Sequence, residues 1–303
     1  MRALLLTPRL SLRLSVALGL FFGSATVSIA QEPPPPKPAA PAAEEDQTPE
    51  KLLTKKRLDL MANRIGQIEV RSTAEGVDLP AKFESTPIFR YDDPARGLVA
   101  AGVWRLGAKG RPLAIITTEL QPRFYNRPRI VYEYLSLIDT PFTASSGDCA
   151  WSPRASEVAF KPIPGAPEPA ESERQRLIQM RTEAKRFIAS EVVKERYELR
   201  LVPQPIERYT PEGSPRADGS MFILAFGLNP EAILFIESDG KQWNYAIGRL
   251  AGASKMSAEI DGQVVWEAGP PKYGWQSSYT GSNAPAEIPG IAPDGTPIKD
   301  ETP

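Results

Sequence analysis

Residues 218–250 read DGSMFILAFGLNPEAILFIESDGKQWNYAIGRL. Three apolar runs stand here, Met221 to Phe226, Ala232 to Ser238 and Trp243 to Leu250, separated by Gly227-Leu228-Asn229-Pro230 and by Asp239-Gly240. Short apolar runs bounded by Gly, Asp, Asn and Pro read as buried strands, and Asp-Gly is hairpin chemistry because glycine tolerates positive φ. The connections are too short for crossover helices, so the strands must be antiparallel neighbours in a meander.

Reading outward, Asp218-Gly219 and Asp261-Gly262 mark further hairpins, with strands at Glu198 to Val202, Met256 to Ile260 and Gln263 to Glu267. Upstream, Ser172 precedes Glu173, and Leu177, Met180, Ala184 and Phe187 or Ile188 follow at helical spacing, which predicts a capped helix. The first half has the same order. Thr48 caps and Pro49 opens a helix with Leu58, Met61, Ile65 and Ile68 on one stripe. Strands are then expected at Ile88 to Tyr91, Leu98 to Leu106, Leu113 to Leu120, Ile130 to Ile138 and Glu157 to Lys161.

The halves share anchors. Arg57-Leu58-x-x-Met61 returns as Arg176-Leu177-x-x-Met180, an offset of 119, and Pro87-Ile88-x-Arg90-Tyr91 returns as Pro205-Ile206-x-Arg208-Tyr209, an offset of 118. Pro112 and Glu119 match Pro230 and Glu237 at 118, while Tyr132-x-Tyr134 matches Trp243-x-Tyr245 at 111 and Phe160 matches Trp266 at 106. A near-constant offset through matching contexts is the mark of a repeat. The expected fold is α+β: antiparallel β-meander sheets each preceded by a packed helix, an internal duplication, with disordered Pro-rich tails.

The ends differ in kind. Arg2, Arg9 and Arg13, the apolar run Leu14 to Phe22 and Ser28-Ile29-Ala30 have the order of a cleavable signal peptide over 1–30. Its apolar core is shorter than the ~20 residues of a membrane span, and no transmembrane helix is expected once the signal is removed. Residues 31–49 form a Pro/Ala-rich tether, 50–161 the first helix-plus-meander unit, 162–172 a Pro-rich connector, 173–267 the second unit, and 268–303 a mostly disordered tail. The expected location is secreted or periplasmic.

Composition excludes more than it assigns. The chain has no histidine and one cysteine, Cys149, so histidine-dependent triads, histidine-ligated zinc and an internal disulfide are ruled out. Loss of the signal removes three arginines and no acid, leaving 33 basic against 37 acidic residues, a net charge of −4. That is no electrostatic footprint for nucleic acid. Neither a cofactor nor a metal is expected, since no Gly-rich phosphate loop, cysteine cluster or EF-hand spacing occurs.

Phe89-Arg90-Tyr91, Gly110-Arg111-Pro112, Trp151-Ser152-Pro153, Pro164-Gly165-Ala166-Pro167, Asp218-Gly219, Asn229-Pro230-Glu231 and Trp243-x-Tyr245 together resemble a group of uncharacterised secreted bacterial proteins with no assigned activity. The resemblance covers roughly residues 55 to 267. It implies export and a shared fold, and carries no site residues.

The remaining chemistry lies in carboxylates and arginines. Glu119 and Glu237 end matching strands, and two acids facing each other ~5 to 10 Å apart would suit glycan hydrolysis. Arg90-Tyr91 and Arg208-Tyr209 are candidates for a pair of anion-binding positions. The function expected is that of an exported, non-catalytic cell-envelope protein binding a protein, polymer or apolar ligand; the alternative is a carboxylate-dependent glycan hydrolase. Convergence of Glu119 and Glu237 in a polar cleft would favour the enzyme, and a continuous apolar concavity would favour binding.

Overall fold

The computed structural model describes residues 48–298 apart from 75–78, 80–81, 108, 212–213, 215 and 254. The expected signal peptide, most of the expected tether and the last five residues lie outside the described residues. Helix α1 (Pro49–Gly66) leads to β1 (Glu69–Ser72) and the meander β2 (Phe89–Asp93), β3 (Leu98–Leu106), β4 (Ala114–Phe124) and β5 (Arg127–Ser136). Short β6 (Phe142–Ser145), β7 (Ala150–Trp151) and β8 (Lys161–Pro162) follow. Helix α2 (Glu173–Ala184) precedes β9 (Phe187–Val192), β10 (Arg196–Leu201), β11 (Glu207–Tyr209), β12 (Asp218–Phe226), β13 (Asn229–Ser238) and β14 (Trp243–Arg249). Strands β15 (Lys255–Ile260), β16 (Gln263–Ala268) and β17 (Tyr279–Pro285) complete the fold.

The helices begin where the caps predicted. The Thr48 hydroxyl accepts from the Lys51 N–H at 3.4 Å, and the Ser172 hydroxyl accepts from the Gln175 N–H at 3.3 Å. Helix α1 buries Leu53, Met61 and Ile65, and α2 buries Met180 and Ala184.

The expectation of an α+β fold is corrected: the chain is mostly β, 46% strand against 14% helix, with two α-helices among the described residues. Helix α1 does not open the meander behind it, because β1 pairs with β6 in a separate sheet; α2 leads into β9, which pairs with β15 and β10, and β10 continues onto β12. The sheets are a three-stranded β1-β6-β7, a five-stranded β17-β5-β4-β3-β2 and a nine-stranded sheet running β16-β15-β9-β10-β12-β13-β14-β8 with β11 also on β12.

The expected unit boundaries are corrected too. Residues 162–172 are more than a connector, because β8 pairs with β14 and Ile163 is buried in the core beneath α2. The disordered tail from 268 is contradicted by β17, which runs antiparallel along β5 from Tyr279 opposite Leu135 to Pro285 opposite Arg129. Its sequence lacks apolar alternation because an edge strand is held through its main chain, and Tyr279, Ala284, Ala286 and Ile288 are buried as it passes.

Three apolar clusters hold these layers together. One, with Trp104, Trp151, Phe142 and Met61, lies between the five-stranded sheet and α1; another, with Phe222, Trp243 and Met180, lies against α2. The third joins the two meanders face to face through Val103, Ile115, Leu135, Ile223, Ile233 and Phe235. Cys149 is buried and donates to the Ala144 carbonyl at 3.3 Å. No helix among the described residues is long and apolar enough to cross a membrane.

The meanders share one register. Tyr91 stands opposite Ala101, which stands opposite Glu119; Tyr209 stands opposite Gly219, which stands opposite Glu237. Leu106 opposite Ala114 corresponds to Leu224 opposite Ala232; there β3–β4 ends its pairing, whereas β12–β13 continues past a bulge to Phe226 opposite Asn229. On the next strand the match is Tyr132 with Tyr245, opposite Thr118 and Ile236 respectively. This corrects the expected pairing with Trp243, because the β13–β14 turn is two residues longer than that count assumed.

Candidate functional site

Two Tyr–Glu pairs stand at equivalent ends of the paired meanders, in different company. At the first, Tyr209 donates to Glu237 at 3.0 Å, and Arg111 reaches across from the first meander with its Nε 2.9 Å from the same carboxylate and a second guanidinium nitrogen on its other oxygen. The guanidinium also lies 4.0 Å from the ring centre of Phe160. This forked, stacked seat is the geometry that distinguishes arginine from lysine. A Cβ on Gly219 would come within 2.6 Å of the Tyr209 ring, so glycine is required for the ring to lie across β12. Burial opposes the charge on Arg111, and the hydrogen bond to Glu237, the charge of Glu237 and the contribution of Tyr209 together outweigh it and raise its pKa.

At the second, Tyr91 donates to Glu119 at 3.1 Å and the Gln121 amide donates to its other oxygen at 2.6 Å. The residue at the position of Arg111, counted along the matching hairpin, is Asn229. In place of a guanidinium there is a cavity of about 600 Å³, bounded by Glu119, Glu133, Glu191, Glu231, Arg96 and Phe226 among others. Glu133 lies one diagonal step from Glu119 on the same face of β5. At its position and at that of Glu231, the Arg111 end of the molecule carries Ala246 and Leu113.

The acids here are held away from their ordinary ionisation. Burial raises Glu133 to about 8, with the neighbouring charge of Glu119 adding to it, and raises Glu231 to about 7, with Glu191 adding to it. Burial also raises Glu119 and Glu191. The Tyr91 hydroxyl is pushed up by burial and then by Glu119. Arg96 is already engaged: it donates to Glu231 at 3.0 Å, stands 3.5 Å from Asp93 and lies over Phe226 at 5.2 Å. Glu191 is 1% exposed, and one of its carboxylate oxygens has no hydrogen-bond partner; the Asn229 side-chain oxygen is likewise buried and unpartnered.

Among the residues singled out from sequence, Glu119 and Glu237 do not converge. They occupy separate sites with separate partners, so the condition set for a two-acid hydrolase is not met. Arg90 and Arg208 are not brought together either. Arg90 is exposed on a separate shallow cavity with Leu58 and Val99, whereas Arg208 is forked onto Asp218, which also receives the buried Arg176 at 2.8 Å. Tyr91 and Tyr209 serve the two glutamates. The cavity between the meanders is not a continuous apolar concavity, since acids stand in its walls.

Sequence reasoning passed over Glu133, Glu191, Glu231, Asn229 and Arg111. Two signals pointed to them: a glutamate between Val131 and Leu135 on the core face of a strand, and the break of the 118 offset where Arg111 meets Asn229. Among the described residues no three acidic or thiol side chains are grouped to hold a metal. Fold and site together define a mostly β protein of facing antiparallel meanders with an acidic cavity at one end of their interface. No family model, no curated protein and no solved structure matches the chain.

Proposed function

We propose that this is an exported, non-catalytic binding protein whose ligand is a small organic cation, or a cationic side chain, taken into the acidic cavity between the meanders. The observation that carries the reading is the convergence of four carboxylates on one cavity whose facing arginine is already bonded, with a nearly fully buried Glu191 oxygen left without a partner. Burying a carboxylate without a cation is costly. A fold that keeps four of them beside a cavity is explained when a positive charge arrives from outside. About 600 Å³ admits a side chain or small molecule rather than a polymer strand. The acidic walls disfavour the apolar ligand expected from sequence.

Calorimetric titration of residues 31–303 with agmatine and with cadaverine at pH 8 tests this. Saturable binding of at least one, weakened ~10-fold or more by Glu119→Gln and by Glu133→Gln, is expected from loss of a charge-assisted hydrogen bond. Absence of binding to both cations, or turnover of aryl glycosides abolished by Glu133→Gln, contradicts the reading.

A further inference from the structure

The two ends of the meander interface are the same device in two states, and the occupied one identifies what the open one takes. At the occupied end the Tyr209–Glu237 pair holds a guanidinium supplied by the chain itself. At the open end the same register delivers Tyr91 and Glu119, the hairpin delivers Asn229 where the guanidinium would begin, and Glu133 and Glu231 replace Ala246 and Leu113. The guanidinium of Arg111 has no counterpart at Asn229 and two acids are added; Arg96 neutralises Glu231, which leaves Glu119, Glu133 and Glu191 outside any ion pair among the described residues. Phe226, with Arg96 laid across it, supplies an aromatic wall, as Phe160 does for Arg111.

We infer that the open cavity is a guanidinium receptor, its ligand an arginine side chain or a small guanidino compound that takes the place Arg111 takes at the other end. This rests on the cation-binding reading and narrows it. A planar fork can bond Glu119 and Glu133 at once, since the two acids stand diagonally on adjacent strands of one face. An ammonium, a compact point charge, has no such geometric match. The buried Glu191 oxygen and Asn229 oxygen, both unpartnered, are acceptors for the remaining N–H groups.

The test is competition among blocked amino acids of similar size, followed by calorimetry at pH 8 and by protein-observed NMR. N-acetyl-arginine amide should bind at least ~10-fold more tightly than N-acetyl-lysine amide, and the neutral isostere N-acetyl-citrulline amide should not bind. Agmatine binding as tightly as the blocked arginine places recognition on the guanidinium of a small molecule. A pentapeptide with central arginine binding more tightly than either points to a protein ligand; both outcomes support the inference. Asn229→Arg supplies the missing internal guanidinium and should abolish binding while the protein melts no lower than wild type. Equal binding of arginine and lysine probes overturns the guanidinium assignment and leaves the cation site standing. Binding of no cationic probe removes the site itself, and undiminished binding to folded Asn229→Arg overturns the equivalence of the two ends.

Discussion

Replacing Arg111 by Gln probes the occupied end directly. The guanidinium makes two charge-assisted bonds to Glu237, which is 7% exposed, and stacks on Phe160. Each such bond contributes about 1.5–3 kcal/mol when shielded. The Arg111 side chain is 39% exposed, so water reaches the pair and the sum must be discounted toward surface values. Tyr209 remains to hydrogen-bond the carboxylate in the variant. The expected loss is therefore ~1–3 kcal/mol, or about 2–10 °C in melting temperature for a domain of this size. Urea unfolding of Arg111→Gln, Glu237→Gln and the double variant gives the coupling, expected at about 1–2 kcal/mol. Arg216→Gln, which removes an exposed pair with Glu171, should change stability by less than ~0.5 kcal/mol. If Arg111→Gln proves no worse than Arg216→Gln, or the coupling is zero, the occupied end does not hold its arginine as described.

Further expectations follow from burial and charge. Trp243 is 1% exposed and Trp275 61%, so Trp243→Ala should cost about 3–5 kcal/mol and Trp275→Ala under ~1 by urea unfolding. Truncation after Ala268 removes β17 and uncovers Tyr132 and Tyr134 on β5, and should abolish cooperative thermal unfolding of the five-stranded sheet. Glu133 and Glu231 titrate higher folded than unfolded, so their contribution is complete below about 4.5 and is lost as pH rises through about 7 to 8. Melting temperature should then fall between about pH 4.5 and 8, and the fall should shrink in Glu133→Gln. Over the same range cation binding should tighten, with Tyr91, Arg96, Glu119, Glu191, Lys194, Tyr197, Arg249 and Tyr279 the other charged or titratable groups around the two acids.

Much of the core was legible because core strands advertise themselves. The runs at Met221, Ala232 and Trp243 are apolar on both faces, since each meander packs on its partner through one face and on a helix through the other. The helix caps were legible from Thr48-Pro49 and Ser172-Glu173. Strand β17 was not, because an edge strand of Thr, Gly, Ser and Asn is held by main-chain bonds that leave no hydrophobic pattern. The balance of helix and sheet was not legible because the two capped helices carry stronger sequence signals than the seventeen strands of the described residues, most of them short. At the site, the matched glutamates were visible and their separation was not: equal positions in two facing meanders fall at opposite ends of the interface. The informative residues were those that break the match, Asn229 against Arg111 and Glu133 against Ala246.

The most direct measurement is a crystal structure of the protein grown with N-acetyl-arginine amide at pH 8. The account predicts the guanidinium in the cavity between Glu119 and Glu133, bonded to both, with Arg96 still on Glu231 and Arg111 still on Glu237. Ligand density confined to the outer surface, or to the separate cavity bordered by Trp266 and Tyr279, would contradict it.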